Sequence, residues 1–194
     1  MHLHLVDTNL AVIEAFKKYF PSEVLITHGK FEDIKDYDCL VSAANSFGIM
    51  DGGIDLAIKN HFGQQLQDKV QEVISNTYFG EQPVGTSFIV STGNSEHPWL
   101  AHSPTMTMPM DISRTLNVYH AMLATLQAVQ RFNNSAEELQ EPLIETVVCC
   151  GLGTLTGKMT EDNAAFLMSA AYGNFLQNQN HSHKKVGVIL KINK

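Results

Sequence analysis

The sequence predicts an α/β fold built as one domain over residues 1–194, and three observations carry that expectation. Short apolar runs of strand length alternate with longer stretches that keep apolar residues at helical spacing, the pattern of strands covered by helices. Two of the strand-like runs end in glycine-rich turns that lead into helical stretches, around Gly52–Gly53 and Gly151–Gly157. Hydrophobic residues make up 44% of the chain and charged residues 17%, enough to build one core and too apolar for disorder.

Taken in order, Leu3 to Val6 reads as a first strand. Thr8 or Asn9 can cap a helix with Leu10, Ile13 and Phe16 on one face, which Pro21 ends. Val24 to Thr27 and Cys39 to Ala43 read as strands. After Gly53 the stripe Ile54, Ala57, Ile58, Phe62, Leu66, Val70, Val73 and Ile74 predicts one long helix. Ser87 to Ser91 and Trp99 to His102 are strand-like, and Asp111 can cap a helix over Ile112 to Phe132. Asn133 to Pro142 is polar and reads as a surface excursion. Ile144 to Cys150 is apolar nearly throughout, as a strand buried on both faces is. Thr160 can cap a helix with Glu161 and Asp162 in its first turn. Lys185 to Ile192 is expected as a closing strand.

The bulk numbers exclude several classes. A net charge of -7 speaks against a broad nucleic-acid surface, which needs clustered Lys and Arg. It leaves room for one local anion pocket, because backbone N–H groups can supply that. No apolar run approaches the roughly 20 residues of a membrane helix, and Met1 to Val6 lacks the pattern of a signal peptide. Cys39, Cys149 and Cys150 are odd in number and lie in strand-like runs, so buried thiols in a reducing cytoplasm are expected. The pairs His2-x-His4 and His181-x-His183 lack acidic or cysteine partners, so no metal and no cofactor are expected. Ser42 and Ser46 have no evident base, which excludes a serine nucleophile.

The two glycine-rich strand ends carry the chemistry. In the first, Val41-Ser-Ala-Ala-Asn45-Ser-Phe-Gly-Ile-Met-Asp-Gly-Gly-Ile-Asp55, small residues end the strand. Gly52 and Gly53 free the backbone for positive φ, and a helix starts just there with its positive end. In open α/β sheets the binding crevice lies beyond the carboxyl ends of the strands, where such a loop sits. A plain turn with glycines for sterics fits the same spacing. The second, Gly151-Leu-Gly153-Thr-Leu-Thr-Gly157, has three glycines in seven residues, with Thr154 and Thr156 adding hydroxyls. It is not a P-loop: five residues separate Gly151 from Gly157-Lys158, and Met159 follows. Nor does it have the spacing of a dinucleotide fingerprint.

Together these pieces resemble the macro domain family. Asp38-Cys-Leu-Val-Ser42-Ala-Ala-Asn45 with Gly52-Gly-Ile-Asp55 is similar to the family's first motif, Leu100-Ala-His-Ser-Pro-Thr-Met to its middle strand, and Gly151 to Gly157 to its late loop. The resemblance implies a three-layer α/β/α macro domain with a central mixed, mostly parallel sheet. It also implies a cleft for ADP-ribose or the ADP-ribosyl group of a protein, with the two loops on either side of the diphosphate. Its ligand-binding residues would be Phe31, Ala44, Phe47, Gly52, Gly53, Ile54, Gly151, Leu152, Gly153, Thr154, Leu155, Thr156 and Gly157. Asn45 and Asp55 would hold the distal ribose and place a water for release of protein-linked ADP-ribose. Lys30 stands where the family usually has an aspartate that meets adenine, with Glu32 and Asp33 close by as substitutes. Lys59 stands where the hydrolases often have a histidine. Three activities follow from the resemblance: an ADP-ribosyl hydrolase, a non-catalytic reader, and a phosphatase of a free ADP-ribose derivative. The Met106–Met110 stretch reads either as a lip over the cleft or as core, and His102 as lining or as structural.

Overall fold

The computed structural model describes residues 1–192, with side chains through residue 178. Six strands form one sheet: β1 His2–Asp7, β2 Leu25–His28, β3 Cys39–Asn45, β4 Phe88–Ser91, β5 Trp99–Met106 and β6 Thr146–Cys149. Their order is β2-β1-β6-β3-β5-β4, all pairs parallel except the antiparallel β4–β5 edge. The helices are α1 Leu10–Tyr19, α2 Gly53–Phe62, α3 Gln64–Tyr78, α4 Asn117–Leu139 and α5 Glu161–Ile192. The sheet is mixed, mostly parallel, and covered on both faces, as the three-layer expectation has it.

The period of two along each strand sorts the core into two layers. Leu3, Leu5, Cys39, Val41, Val147 and Cys149 face α1, α4 and α5, where Ile13, Phe16, Leu126 and Met168 pack on them. Val6, Leu40, Leu100 and Val148 face the other way, onto Ile58, Leu66, Val70 and Ile74 of α2 and α3. A clip at the amino edge fixes the register of the central strands: Asp38 Oδ2 accepts the N–H groups of Glu145 and Thr146, each at 2.8 Å. Asn9 caps α1 by accepting the N–H of Ala11 at 2.9 Å. Leu10, expected on the buried face, is 55% exposed; Val12 takes that place.

Several boundaries differ from the sequence reading. The long helix expected after Gly53 is two helices, because Gly63 at φ 94° breaks it, a conformation that side chains rarely adopt. Asp111 caps only a turn, accepting the N–H of Ser113 at 2.9 Å, and α4 starts later, at Asn117. That helix runs to Leu139 through most of the expected polar excursion, since Asn133 ties it to Ile144 with two hydrogen bonds of 2.8 Å. β5 is longer than expected because it is buried along nearly its whole length between β3 and β4. Thr160 lies before α5, accepting the N–H of Asn163 at 3.4 Å. The closing strand expected over Lys185 to Ile192 falls instead in the C-terminal turns of α5; a short apolar run does not by its period alone separate strand from helix. No helix of the described residues is long and apolar enough to cross a membrane.

Gly48 shows how tightly the first loop sits on α3. Its φ is +64°, and a Cβ there would stand 2.7 Å from Val70 Cγ1 and 2.9 Å from Ile74 Cδ1. Gly48→Ala is expected to cost about 1–3 kcal/mol from overpacking and backbone strain. Urea unfolding of the two chains measures it, and an unchanged midpoint would show that the loop does not pack there.

Candidate functional site

All strands but β4 point their carboxyl ends to one edge of the sheet, and the site lies along that edge. A cleft of about 450 Å³ runs there from the end of β2 to the end of β5. Phe31, Glu32 and Gly29 line it beyond β2, Asp7, Thr8 and Asn9 beyond β1, and the Gly151–Gly157 loop beyond β6. Ala43 and the Gly52–Ile54 turn line it on the β3 side, and Thr105 and Met106 at the end of β5.

The late loop is shaped by packing from below. Asp7 Oδ2 accepts the N–H of Gly151 at 3.0 Å, which ties the loop to β1. A Cβ on Gly153 would stand 2.9 Å from Ile112 Cδ1, and one on Gly157 would stand 2.6 Å from Gly153 O and 2.7 Å from Ile112 Cγ1. These two glycines are therefore required by the Ile112 wedge beneath them, and Gly153 also by its φ of +72°. Ile112 N donates to Gly157 O at 2.9 Å, and Met159 N to Gly153 O at 3.0 Å. Thr154 closes a tight turn on Gly151, while the N–H groups of Gly153, Leu155 and Thr156 meet no protein acceptor among the described residues.

The first loop is held differently. Asn45 folds its amide back onto the chain: Oδ1 accepts from Phe47 N at 3.1 Å and Ile49 N at 3.2 Å, and Nδ2 donates to Ile49 O at 2.7 Å. Ser46 N donates to Met106 O and Thr107 O, joining the loop to the end of β5. Gly52 begins α2 with no side-chain cap, so the N–H groups of Gly53 and Ile54 are free first-turn donors at the positive end of a helix. No atom lies within 4 Å of where a Cβ on Gly52 or Gly53 would stand.

Of the residues expected to bind ligand, Phe31, Gly52, Gly53, Ile54, Gly151, Gly153, Thr154, Leu155, Thr156 and Gly157 line this one cleft. Ala44, Phe47 and Leu152 do not. Successive strand residues alternate faces, so Ala43 borders the cleft and Ala44 is buried. Phe47 lies over α3, its carbonyl accepting from Gln71 Nε2 at 3.4 Å, and Leu152 is fully buried in the core. Asn45 and Asp55, expected as catalytic, also stand outside the lining. Asp55 is 4% exposed and accepts a 2.6 Å hydrogen bond from Ser42 Oγ. Its burial pushes the carboxyl up to about 6, against the Ser42 bond, with Asp51 adding to the rise. His102 is structural: Nδ1 lies 2.7 Å from Gln82 Oε1, and burial lowers its pKa to about 3, so the ring is neutral. Met106 lines the cleft, while Met108 and Met110 are exposed beyond it.

Asp7, Thr8, Gly29, Ala43, Thr105, Met106 and Cys150 line the cleft without having been singled out as ligand contacts. Parallel order was the available signal, since it brings the last residue of each strand to the same edge. Among the described residues no group of three His, Cys, Asp or Glu could hold a metal; the side chains of His181 and His183 lie outside them. A second groove, of about 820 Å³, carries Glu32, Asp36, Asp38, Glu96 and Glu145 around the stacked rings of Tyr37 and His97. Its carboxylates repel anions, whereas the cleft offers unpaired N–H groups.

Fold and cleft thus define an open α/β protein with a cleft at the carboxyl edge of its sheet, bordered by two glycine-rich loops. The family follows from comparison: the Macro domain model matches residues 41–168, and the chain belongs to the macro domain family. A protein of Aquifex aeolicus is 26% identical over 147 residues, 75% of this chain and 78% of that one. A macro domain-containing protein of Listeria monocytogenes is 33% identical over 81 residues, 42% of this chain and 44% of that one. Among solved structures, the macrodomain of Mycobacterium tuberculosis DarG superposes with a TM-score of 0.58 at 20% identity, over 75% of this chain and 87% of that one. The Oceanobacillus iheyensis macrodomain solved with ADP gives 0.58 at 20% identity, over 75% and 74%. The Trypanosoma brucei macrodomain solved with ADP-ribose gives 0.57 at 15%, over 74% and 53%. At these identities the solved structures share the fold.

The Asp55 carboxyl makes a pH prediction. Its folded pKa lies above the ordinary value of 3.8, so the fold favours the neutral acid. The stability it contributes is present below about pH 3.8 and is lost as pH rises through about 6, on the order of 3 kcal/mol in all. Asp55→Asn keeps an acceptor for Ser42 and removes the titration. The stability difference, variant minus wild type, is expected to grow between pH 4 and 6 and then level off. A difference that stays flat across that window would place Asp55 in contact with solvent.

Proposed function

We propose that this protein binds ADP-ribose, free or attached to a protein, in the cleft between its two glycine-rich loops. One observation carries the reading: backbone N–H groups of Gly53 and Ile54 and of Gly153, Leu155 and Thr156, without a protein acceptor among the described residues, belong to residues that border the same cleft. Backbone donors at a helix N-terminus and in a glycine loop are a ready diphosphate site and need no cationic side chain. That agrees with a chain of net charge -7. The cleft volume of about 450 Å³ is in the range of small-molecule sites. Its ends suit a ligand with two heads. At one end Gly29, Lys30 and Glu32 stand around Phe31, which is 2% exposed and borders the cleft only at its edge, and a base would sit there; Ala43, Thr105 and Met106 leave a small, mostly apolar end for the second ribose. Two macrodomains of the same fold were solved with ADP and with ADP-ribose, which supports the choice of ligand.

Binding without cleavage is the reading that the side chains favour, because the Asn45 amide and the Asp55 carboxylate are committed to the protein itself. Release of protein-linked ADP-ribose through these two residues is the second reading. It draws on the Asp55 carboxyl, whose pKa of about 6 suits proton transfer near neutral pH. It requires residues 45–55 to open so that the carboxyl meets the cleft.

Gly52 gives a clean test. Its φ of -153° is open to any residue, and no atom lies within 4 Å of where its Cβ would stand. Gly52→Val is expected to leave the melting temperature within a degree or two and to weaken ADP-ribose binding about 100-fold in calorimetry, as several charge-assisted bonds are lost. Unchanged affinity would remove the diphosphate from this turn. Incubation with a mono-ADP-ribosylated protein then separates the two readings. No release supports the reader, and release that Asp55→Asn abolishes while binding persists supports the hydrolase.

A further inference from the structure

At its β5 end the cleft is bordered by Thr105 and Met106, and the segment that follows them forms a rim. Residues 107–116 connect β5 to α4 and are pinned on both sides. Ser46 N donates to Thr107 O at 3.0 Å, Ile112 N to Gly157 O at 2.9 Å, and Asn117 Nδ2 to Thr105 O at 2.9 Å. The connection is therefore tied to both glycine loops, with its buried Ile112 as the wedge. Yet Met108, Met110 and Leu116 are 58%, 49% and 59% exposed, and Leu155 on the adjoining loop is 73% exposed. Solvated connections usually carry polar residues at such positions. Large apolar side chains left exposed on segments that adjoin a cleft offer a surface for a partner to cover, and methionine adapts to varied apolar partners.

The position and the charge of the rim select the occupant. With the base at the Phe31 end, the second ribose lies by Thr105 and Met106, and whatever it is linked to leaves the cleft across residues 107–116. The charged side chains nearby are Arg114, Lys158 and Asp111; both cations lie close enough to the Asp111 carboxyl to help lower its pKa. Two cations against one carboxylate, on a chain of net charge -7, are too few to hold a nucleic-acid strand. We infer that this rim docks the apolar flank of a polypeptide that carries the ADP-ribosyl group, an inference that rests on the ADP-ribose reading of the cleft.

The test compares free ADP-ribose with two mono-ADP-ribosylated peptides, one with Leu, Ile and Val around the modified residue and one with Ser and Glu there. Each is titrated into the wild type and into the chain carrying Met108→Ser, Met110→Ser and Leu116→Ser, whose exposed positions leave the cleft lining intact. The wild type is expected to bind the apolar peptide about tenfold tighter than free ADP-ribose, and the polar peptide no tighter. The triple variant is expected to lose that preference while its affinity for free ADP-ribose stays within twofold. Equal binding of the two peptides by the wild type overturns the inference, as does a preference that survives in the triple variant. A gain seen instead with a mono-ADP-ribosylated oligonucleotide also overturns it, by naming a different occupant. In each of those cases binding of free ADP-ribose leaves the cleft reading in place, whereas a wild type that binds none of the ligands removes both.

Discussion

The site depends on backbone N–H groups that border the cleft and that the fold itself does not pair. Each such donor bonds water until an anion takes its place. The surrounding contacts explain why they persist. Asp7 holds Gly151, Ile112 wedges under Gly153 and Gly157, and the first turn of α2 cannot satisfy its own donors. The scaffold therefore fixes the donors before any ligand arrives. Fixed donors spend no ordering entropy on binding, so a diphosphate that meets them gains the full charge-assisted bonds. The remaining features of the site follow from this constraint: the parallel strand order that gathers the loops, the glycines that let the ligand approach, and the absence of any need for a cationic clamp.

The same constraint bears on the side chains that looked chemically active. A loop that must present its main chain needs other groups to hold its shape. Asn45 does so by bonding Phe47 and Ile49, and the Ser42–Asp55 pair does so beneath the start of α2. An amide and a carboxyl that could address a ribose are engaged in building the turn that brings Gly52 and Gly53 to the cleft. Catalysis through them would have to be coupled to opening of that turn, which links any cleavage activity to loop motion and separates it from ligand affinity.

Much of this was legible in the residues. The alternation of apolar runs located all six strands of the sheet, because both faces of the sheet are buried and each strand is short. The glycine turns were legible as a pair, since a strand followed by glycines and a helix has few uses other than an edge-of-sheet site. What periodicity could not give was the side of each residue. Ala43 and Ala44 are equivalent in sequence, and only the register of β3 decides that the first borders the cleft. The break at Gly63 was hidden because the apolar stripe continues through it from α2 into α3. The contributions of Asp7, Thr105 and Met106 came from strands far apart in the chain and became visible once the strand order was known. Asn45 and Asp55 carried the strongest motif signal, and their hydrogen bonds show that such a signal reports the shape of the loop as well as its chemistry.

Main-chain amides of the two glycine loops can be watched directly. A titration of ADP-ribose into the ¹⁵N-labelled protein, followed by NMR, is the most direct measurement. The largest amide shifts are expected on Gly53, Ile54 and Gly153 through Thr156, with Phe31 responding at one end of the cleft and Met106 at the other. Shifts centred on the acidic groove around Tyr37 and His97, with both glycine loops silent, would contradict this expectation.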